Sequence, residues 1–392
     1  MSSLKQVVVE ETELKYPDEE SCDEESCDEE SCDEESCDEE SDNESCNDDY
    51  TDDLAHVQYM NKKIDELVLR DDPRLVADIK NKAFFNLLVR QQNVFWTQND
   101  IKADEDLQHW QKLNQDEQFF LKNILAFFAS SDMIVNENLR RNFMNEIKLL
   151  EVQMCLRYQA MMEDIHSIVY KNLITAFVKD RAEEEKVLNS AITSEIVAKK
   201  IAWAHKWMST DIPFNERLIA FIIFEGLFFS GSFAAIFWIA ERGILPNLRK
   251  ANEFISRDEG MHVWTNVMIY QTLKSKPRID IIREIFNDAN KIETEFMASS
   301  LPVRLIGMNA ELMTQYIKYC AQRLFDMLET GEQLYEKNID NPFSFMDRIS
   351  LNAKPNFFEE TSAGYTRDLA NAITEGAHTK DAPTEDAFAD VT

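Results

Sequence analysis

Glycine and proline are scarce, at 8 and 9 residues in a chain of 392. Helical periodicity from about residue 77 to 330 therefore runs with few interruptions. No strand–helix–strand alternation appears, so the expected class is all-α. Cysteine is nearly missing from the body, where Cys155 and Cys320 stand alone. No disulfide framework can hold such a fold, and a reducing, cytoplasmic setting is expected. The N-terminus has no apolar h-region, so no signal peptide is expected. A basic patch with interleaved aromatics is also lacking, which argues against a nucleic-acid surface.

Acidic residues are abundant and unevenly placed. Residues 1–53 hold 24 Asp or Glu against Lys5 and Lys15, a net charge of −22 out of −32 for the chain. Residues 21–40 are four copies of Ser-Cys-Asp-Glu-Glu, and Cys22, Cys27, Cys32, Cys37 and Cys46 all fall in this region. A five-residue period fits neither a helix face nor a strand, and like charges repel. Residues 1–53 therefore read as a disordered, solvated acidic tail. Residues 54–350 read as one helical domain, and 351–392 as a flexible C-terminal tail.

Helices are expected near 77–93, 115–143, 147–177, 182–207, 214–240, 245–273, 278–299 and 309–329. Leu218–Ala240 carries one charge, Glu225, and by hydropathy alone could span a membrane. An acid near the middle of a lone span is costly, at roughly 2.5–3.5 kcal/mol on insertion scales. A buried core helix is the expected outcome, with no membrane involved.

Within this frame, Glu163-Asp-Ile-His166-Ser-Ile-Val-Tyr170 places a carboxylate, an imidazole and a phenol on one helical face. Met154, Leu156, Met161, Met162, Ile165, Ile168 and Val169 surround them. Buried ionisable groups need partners or metal. A second Glu-x-x-His runs from Glu259 to His262. The same spacing recurs at Glu375–His378, but with Gly inside the motif and no apolar frame, so it is discounted. Asp53/His56 and Asp106/His109 stand in polar surroundings and read as surface or capping groups. His205 reads as an ordinary, partly buried histidine. Asp132, on a face with Phe128 and Val135, and Glu225, with Ile222, Phe229 and Phe233, share the apolar setting of the strong pair.

In chain order the helices thus supply Asp, Glu-x-x-His, Glu and Glu-x-x-His. Ferritin-like di-iron and di-manganese proteins draw a Glu from each of two helices and Glu-x-x-His from each of two more. Oxygen and nitrogen donors of this kind suit redox-active first-row ions, and four carboxylates neutralise two divalent charges. A ferritin-like bundle holding a metal pair is the expectation from the residues.

The chain resembles the small, radical-generating subunit of class I ribonucleotide reductase of the eukaryotic and viral type, over roughly residues 77–392. The resemblance rests on Phe95-Trp-Thr97, Asp106-Leu-Gln-His-Trp110, the run from Leu125 to Asn138 and Glu163–Tyr170. It continues through Glu225–Phe233, Ser256–His262 and Leu301–Met308. It implies two iron ions, with manganese as the alternative, on Asp132, Glu163, His166, Glu225, Glu259 and His262. It also implies a radical on Tyr170 inside an apolar pocket of Phe229, Phe233 and Ile255. Trp96, Asp258 and the mobile Tyr365 would pass the radical onward. The C-terminal peptide, with Phe388, Asp386 and Asp390, would dock on a large catalytic subunit that makes deoxyribonucleotides for DNA synthesis, and the small subunit would be a homodimer. No glycine-rich phosphate loop or dithiol is present, which fits substrate chemistry on another chain. From the residues alone, a di-iron oxidase of desaturase or hydroxylase type, or an iron-storage bundle, would use a similar ligand set.

Overall fold

The structure, a computed structural model, describes residues 66–346 except 73, 75, 194, 301 and 302. The expected features of the acidic repeats, Tyr365, His378, Phe388 and Asp390 lie outside the described residues. Within the described residues the elements are helical throughout. The longer ones are α1 (Lys82–Asn93), α2 (Gln115–Asn138), α3 (Leu150–Phe177), α4 (Arg181–Thr193) and α5 (Glu195–Met208). They continue as α6 (Phe214–Leu227), α7 (Ser230–Ala240), α8 (Pro246–Thr272), α9 (Ile279–Glu295) and α10 (Ala310–Met327).

Local chemistry sets the starts. Asn114 accepts from the Glu117 amide at 2.9 Å while the Glu117 carboxylate accepts from the Asn114 amide at 3.0 Å, a reciprocal cap for α2. Asn81 and Asn309 cap α1 and α10 in the simpler way, each accepting one amide. The first helix begins at Lys82, not near 77, because Asn81 takes the capping role. A π-turn over Leu139–Phe143 carries α2 onward to the end expected for that helix.

The start of α8 is built from a distance. Leu245 is left-handed, with φ of 53°, Pro246 follows at the first helical position, and the Asp106 carboxylate accepts the Asn247 and Leu248 amides at 3.1 and 2.7 Å. His109 Nδ1 accepts from the Leu245 amide at 2.8 Å. The capping role expected of Asp106 and His109 is thus met, but Asp106 is fully buried and not on the surface.

Helix α3 is the central strut, packing against α1, α2 and α8, while α6 packs on α5, α8, α9 and α10. The Phe214–Ala240 stretch is apolar enough to cross a membrane by composition, yet its most apolar part is buried inside the protein, with Trp238 the exposed residue near its end. It is also broken: Phe228 and Phe229 form a turn between α6 and α7. Met161 and Ile168 on α3 and Met133 on α2 are exposed, so part of the apolar frame expected around Glu163 faces outward. His205 is exposed on α5.

Glu151, at the start of α3, fastens the segment that precedes α1. Arg74 donates to both its carboxylate oxygens at 2.7 and 2.9 Å, and the Lys80 and Asn81 amides donate at 2.7 and 3.0 Å. Burial pushes this carboxyl up, but Arg74 and the amides outweigh burial and hold it at about 2. A folded-state value below the unfolded 4.5 gives stability that is complete above 4.5 and is lost as pH falls toward 2. The stability gap between wild type and Glu151→Gln, read by urea unfolding, is expected to be widest near neutral pH and to close across that window. A gap constant with pH would refute the pairing.

Candidate metal centre

Helical spacing brings six donor side chains together from four helices. Asp132 comes from α2, Glu163 and His166 from successive turns of α3, Glu225 from α6, and Glu259 and His262 from α8. None is more than 2 % exposed. They form two overlapping sets, Asp132–Glu163–His166 and Glu163–Glu225–Glu259–His262, with ligand atoms in each set within 4.8 Å of one another. Glu163 belongs to both.

The centre of the arrangement is a pair of carboxylates between a pair of imidazoles. His166 Nδ1 lies 3.3 Å from Glu163 and 3.1 Å from Glu259. His262 Nδ1 lies 3.0 Å from Glu163 and 3.3 Å from Glu259. Each carboxylate therefore faces both rings.

The electrostatics are consistent with this. Among the described residues no Lys or Arg pairs with the four ligand carboxylates, although isolated buried charges are costly. Burial, followed by the neighbouring carboxylates, lifts Asp132 and Glu225 well above the usual carboxylate range. Burial pulls both imidazoles down, but the surrounding acids overcome it and raise His166 well above its ordinary value and His262 to about 10. Buried oxygens of Asp132, Glu225 and Gln159 have no hydrogen-bond partner within the protein. Orphaned acceptors beside proton-hungry imidazoles fit a site built for cations, and the donor set suits first-row ions.

From this cluster a polar path leads through Asp258 to Trp96. Asp258 Oδ2 lies 3.2 Å from His166 Nε2 and accepts from Trp96 Nε1–H at 2.7 Å. With the proton on Nε2 pointing at Asp258, His166 presents its Nδ1 lone pair to the cluster. Trp96 is itself buried and lies nearly parallel to the His166 ring, at 5.9 Å between centroids. Arg257 Nη2 contacts the other Asp258 oxygen at 3.4 Å.

Tyr170 is buried one turn beyond His166, and its ring stacks on Phe128 at 4.8 Å. Burial first, and then the Asp132, Glu259 and Glu163 carboxylates, push its phenol well above the ordinary value. Phe229 and Phe233 pack on Phe128 at 5.6 and 5.0 Å, while Ile255 is fully buried on α8. Phe128 is thus the ring against Tyr170, a place that sequence reasoning gave only to Phe229, Phe233 and Ile255.

Gln159 was also missed. Its Nε2 donates to Glu225 at 2.8 Å and to Glu163 at 3.4 Å, tying two donors from different helices. The signal was available: a lone amide one turn before Glu163, on the face that carries the ligands.

Comparison with known proteins follows the same lines. The family model described as ribonucleotide reductase, small chain, matches residues 75–342. The human ribonucleoside-diphosphate reductase subunit M2 is 42 % identical over 322 residues, covering 81 % of this chain and 82 % of its own. The small chain of vaccinia virus strain Ankara is 41 % identical over 304 residues, covering 77 % and 94 %. Among solved structures, the ribonucleotide reductase Rnr4 homodimer of Saccharomyces cerevisiae superposes with a TM-score of 0.69 at 31 % identity, covering 77 % of this chain and 97 % of that one. The R2 subunit of Clostridium botulinum, at 22 % identity and a TM-score of 0.64, shares the fold. The match runs through every helix that brings a donor to the cluster, and the chain belongs to the ribonucleotide reductase small-chain family, an oxidoreductase subunit with a ferritin-like helical fold.

Proposed function

We propose that this chain holds two iron ions on Asp132, Glu163, His166, Glu225, Glu259 and His262 and keeps a tyrosyl radical on Tyr170 for a large catalytic subunit. The observation that carries this reading is the placement of Glu163 and Glu259, each facing both imidazoles. When bound, a redox-active metal pair supplies the one-electron oxidising power that no side chain here has. The protein's own part is positional. Asp258 fixes the His166 tautomer, Gln159 aligns Glu163 with Glu225, and the Phe128, Phe229 and Phe233 rings keep water from the phenol. Burial and the neighbouring carboxylates favour the protonated phenol of Tyr170, so its oxidation would release a proton as well as an electron. The relay from His166 through Asp258 to Trp96 then offers a hydrogen-bonded exit.

Tyr365 would take the radical from that exit to the partner, and Phe388 and Asp390 would dock on the large subunit. A homodimer fits the exposed Met133, Met161 and Ile168, which give the adjoining α2 and α3 outward apolar surface. The setting we infer is the cytoplasm, from the lack of a disulfide framework. Manganese is the alternative metal, since the donors suit both ions.

Anaerobic titration of the apoprotein with ferrous iron tests the site. Two ions per chain are expected, with one retained in Glu225→Ala and both lost in Glu163→Ala, because Glu163 serves both ligand sets. More than two ions in the wild type, or an unaltered count in Glu163→Ala, would sink the assignment. Oxygen addition should then give a tyrosyl signal by electron paramagnetic resonance.

A further inference from the structure

Lys200 on α5 is 1 % exposed and lies outside the ligand cluster. Its Nζ is 2.6 Å from Glu293 Oε2 on α9, and Glu293 is fully buried. The ammonium also sits 3.8 and 4.0 Å from the ring centroids of Phe296 and Phe127. Burial lowers Lys200 to about 8 and lifts Glu293 to about 7, with each partly restored by the other. A buried ion pair is a poor stability device, since well-packed apolar residues often do as well or better. Its position suggests another use.

Lys200 Nζ donates to the Phe228 carbonyl at 3.1 Å. That carbonyl lies in the break between α6 and α7, where the helical ladder is interrupted. Ser230 Oγ takes the Leu227 carbonyl at 2.8 Å, so both side chains satisfy acceptors that the break releases into the core. Glu293 and Met297 press on the start of α7 so closely that a Cβ at Gly231 would come within 2.9 Å of Glu293 Oε1 and 2.8 Å of Met297 Cγ. Glu225 stands three residues before Phe228, Phe229 lies in the break itself and Phe233 follows it. Phe127, under the ammonium, also reaches Phe128 and Phe229 at 5.8 and 6.1 Å.

We propose that Lys200, held by Glu293, is a positioning residue for the metal and radical site: it pins the α6–α7 break and so sets Glu225 and the Phe229–Phe233 wall. The radical part rests on the function proposed above.

The test compares wild type, Lys200→Met and the double variant Lys200→Met/Glu293→Gln in the full chain. Three readouts are taken: the thermal midpoint, the visible spectrum of bound Co(II), and the half-life of the tyrosyl signal after ferrous iron and oxygen. The single variant leaves Glu293 buried without its cation and is expected to lose stability. The double variant removes that charge and should recover most of the midpoint. It should nonetheless keep a changed Co(II) spectrum and a radical half-life shortened by about tenfold, an effect worth about 1.4 kcal/mol. A double variant with the wild-type Co(II) spectrum and half-life would overturn the proposal and leave the pair a structural role alone. If Lys200→Met does not accumulate, the double variant decides by the same two signals. If the wild type gives no radical, the proposed function fails, while the Co(II) spectrum still decides the role of Lys200.

Discussion

Tyr170→Phe is expected to bind two irons per chain and to lose the tyrosyl signal and all reductase activity with the large subunit. The substitution removes one oxygen from a ring that keeps its stack on Phe128, so the bundle and the donor set should be undisturbed. No other tyrosine is described on the ligand face of α3; Tyr158 lies three turns earlier and gives its hydroxyl to the Gln91 carbonyl at 3.0 Å. Iron counting, circular dichroism and electron paramagnetic resonance on the same sample separate the possibilities. Retained activity with a normal iron count would place the radical elsewhere. Loss of iron together with activity would mean that the phenol supports the ligands, and the radical assignment would lose its support.

The second large effect concerns the exit. In Asp258→Asn, one side-chain oxygen can still meet Trp96 or His166, but the negative charge that holds both N–H groups is gone. Metal uptake and the Tyr170 signal are expected to survive, while turnover with the large subunit falls by roughly 10–100-fold, the usual cost of losing an outer partner of a metal-bound histidine. Trp96→Phe removes the donor at 2.7 Å and should give the same pattern. A drop in the radical yield equal to the drop in turnover would assign Asp258 to assembly of the site and remove the relay.

The ligand helices were legible because their chemistry is periodic. Glu163/His166 and Glu259/His262 announce a face by spacing alone, and Asp132 and Glu225 stand out as lone acids within apolar stretches of α2 and α6. Helix ends followed where caps lie nearby in sequence, as at Asn114. What was not legible depends on partners far along the chain. Nothing at Phe228 or Phe229 signals a broken helix, since the carbonyl released there is met by Lys200, 28 residues earlier. The burial of Asp106 likewise requires α8, whose first amides lie 141 and 142 residues on. Met161 and Ile168 look like core by composition; their exposure follows from which side of α3 receives α1, α2 and α8, and no local pattern fixes that.

The buried stretch Phe214–Ala240 has a consequence for how the chain is made. It leaves the ribosome before α8, α9 and α10, three of the helices packed against it. Until about 90 further residues are synthesised, 27 largely apolar residues have only the helices before them as cover. A nascent chain in that interval resembles a membrane segment without a membrane, and exposed apolar surface of that kind is prone to aggregate. Fragments ending shortly after Ala240 should therefore precipitate even though they contain four of the six ligands, and recovery of soluble protein should begin only when the chain extends past α10.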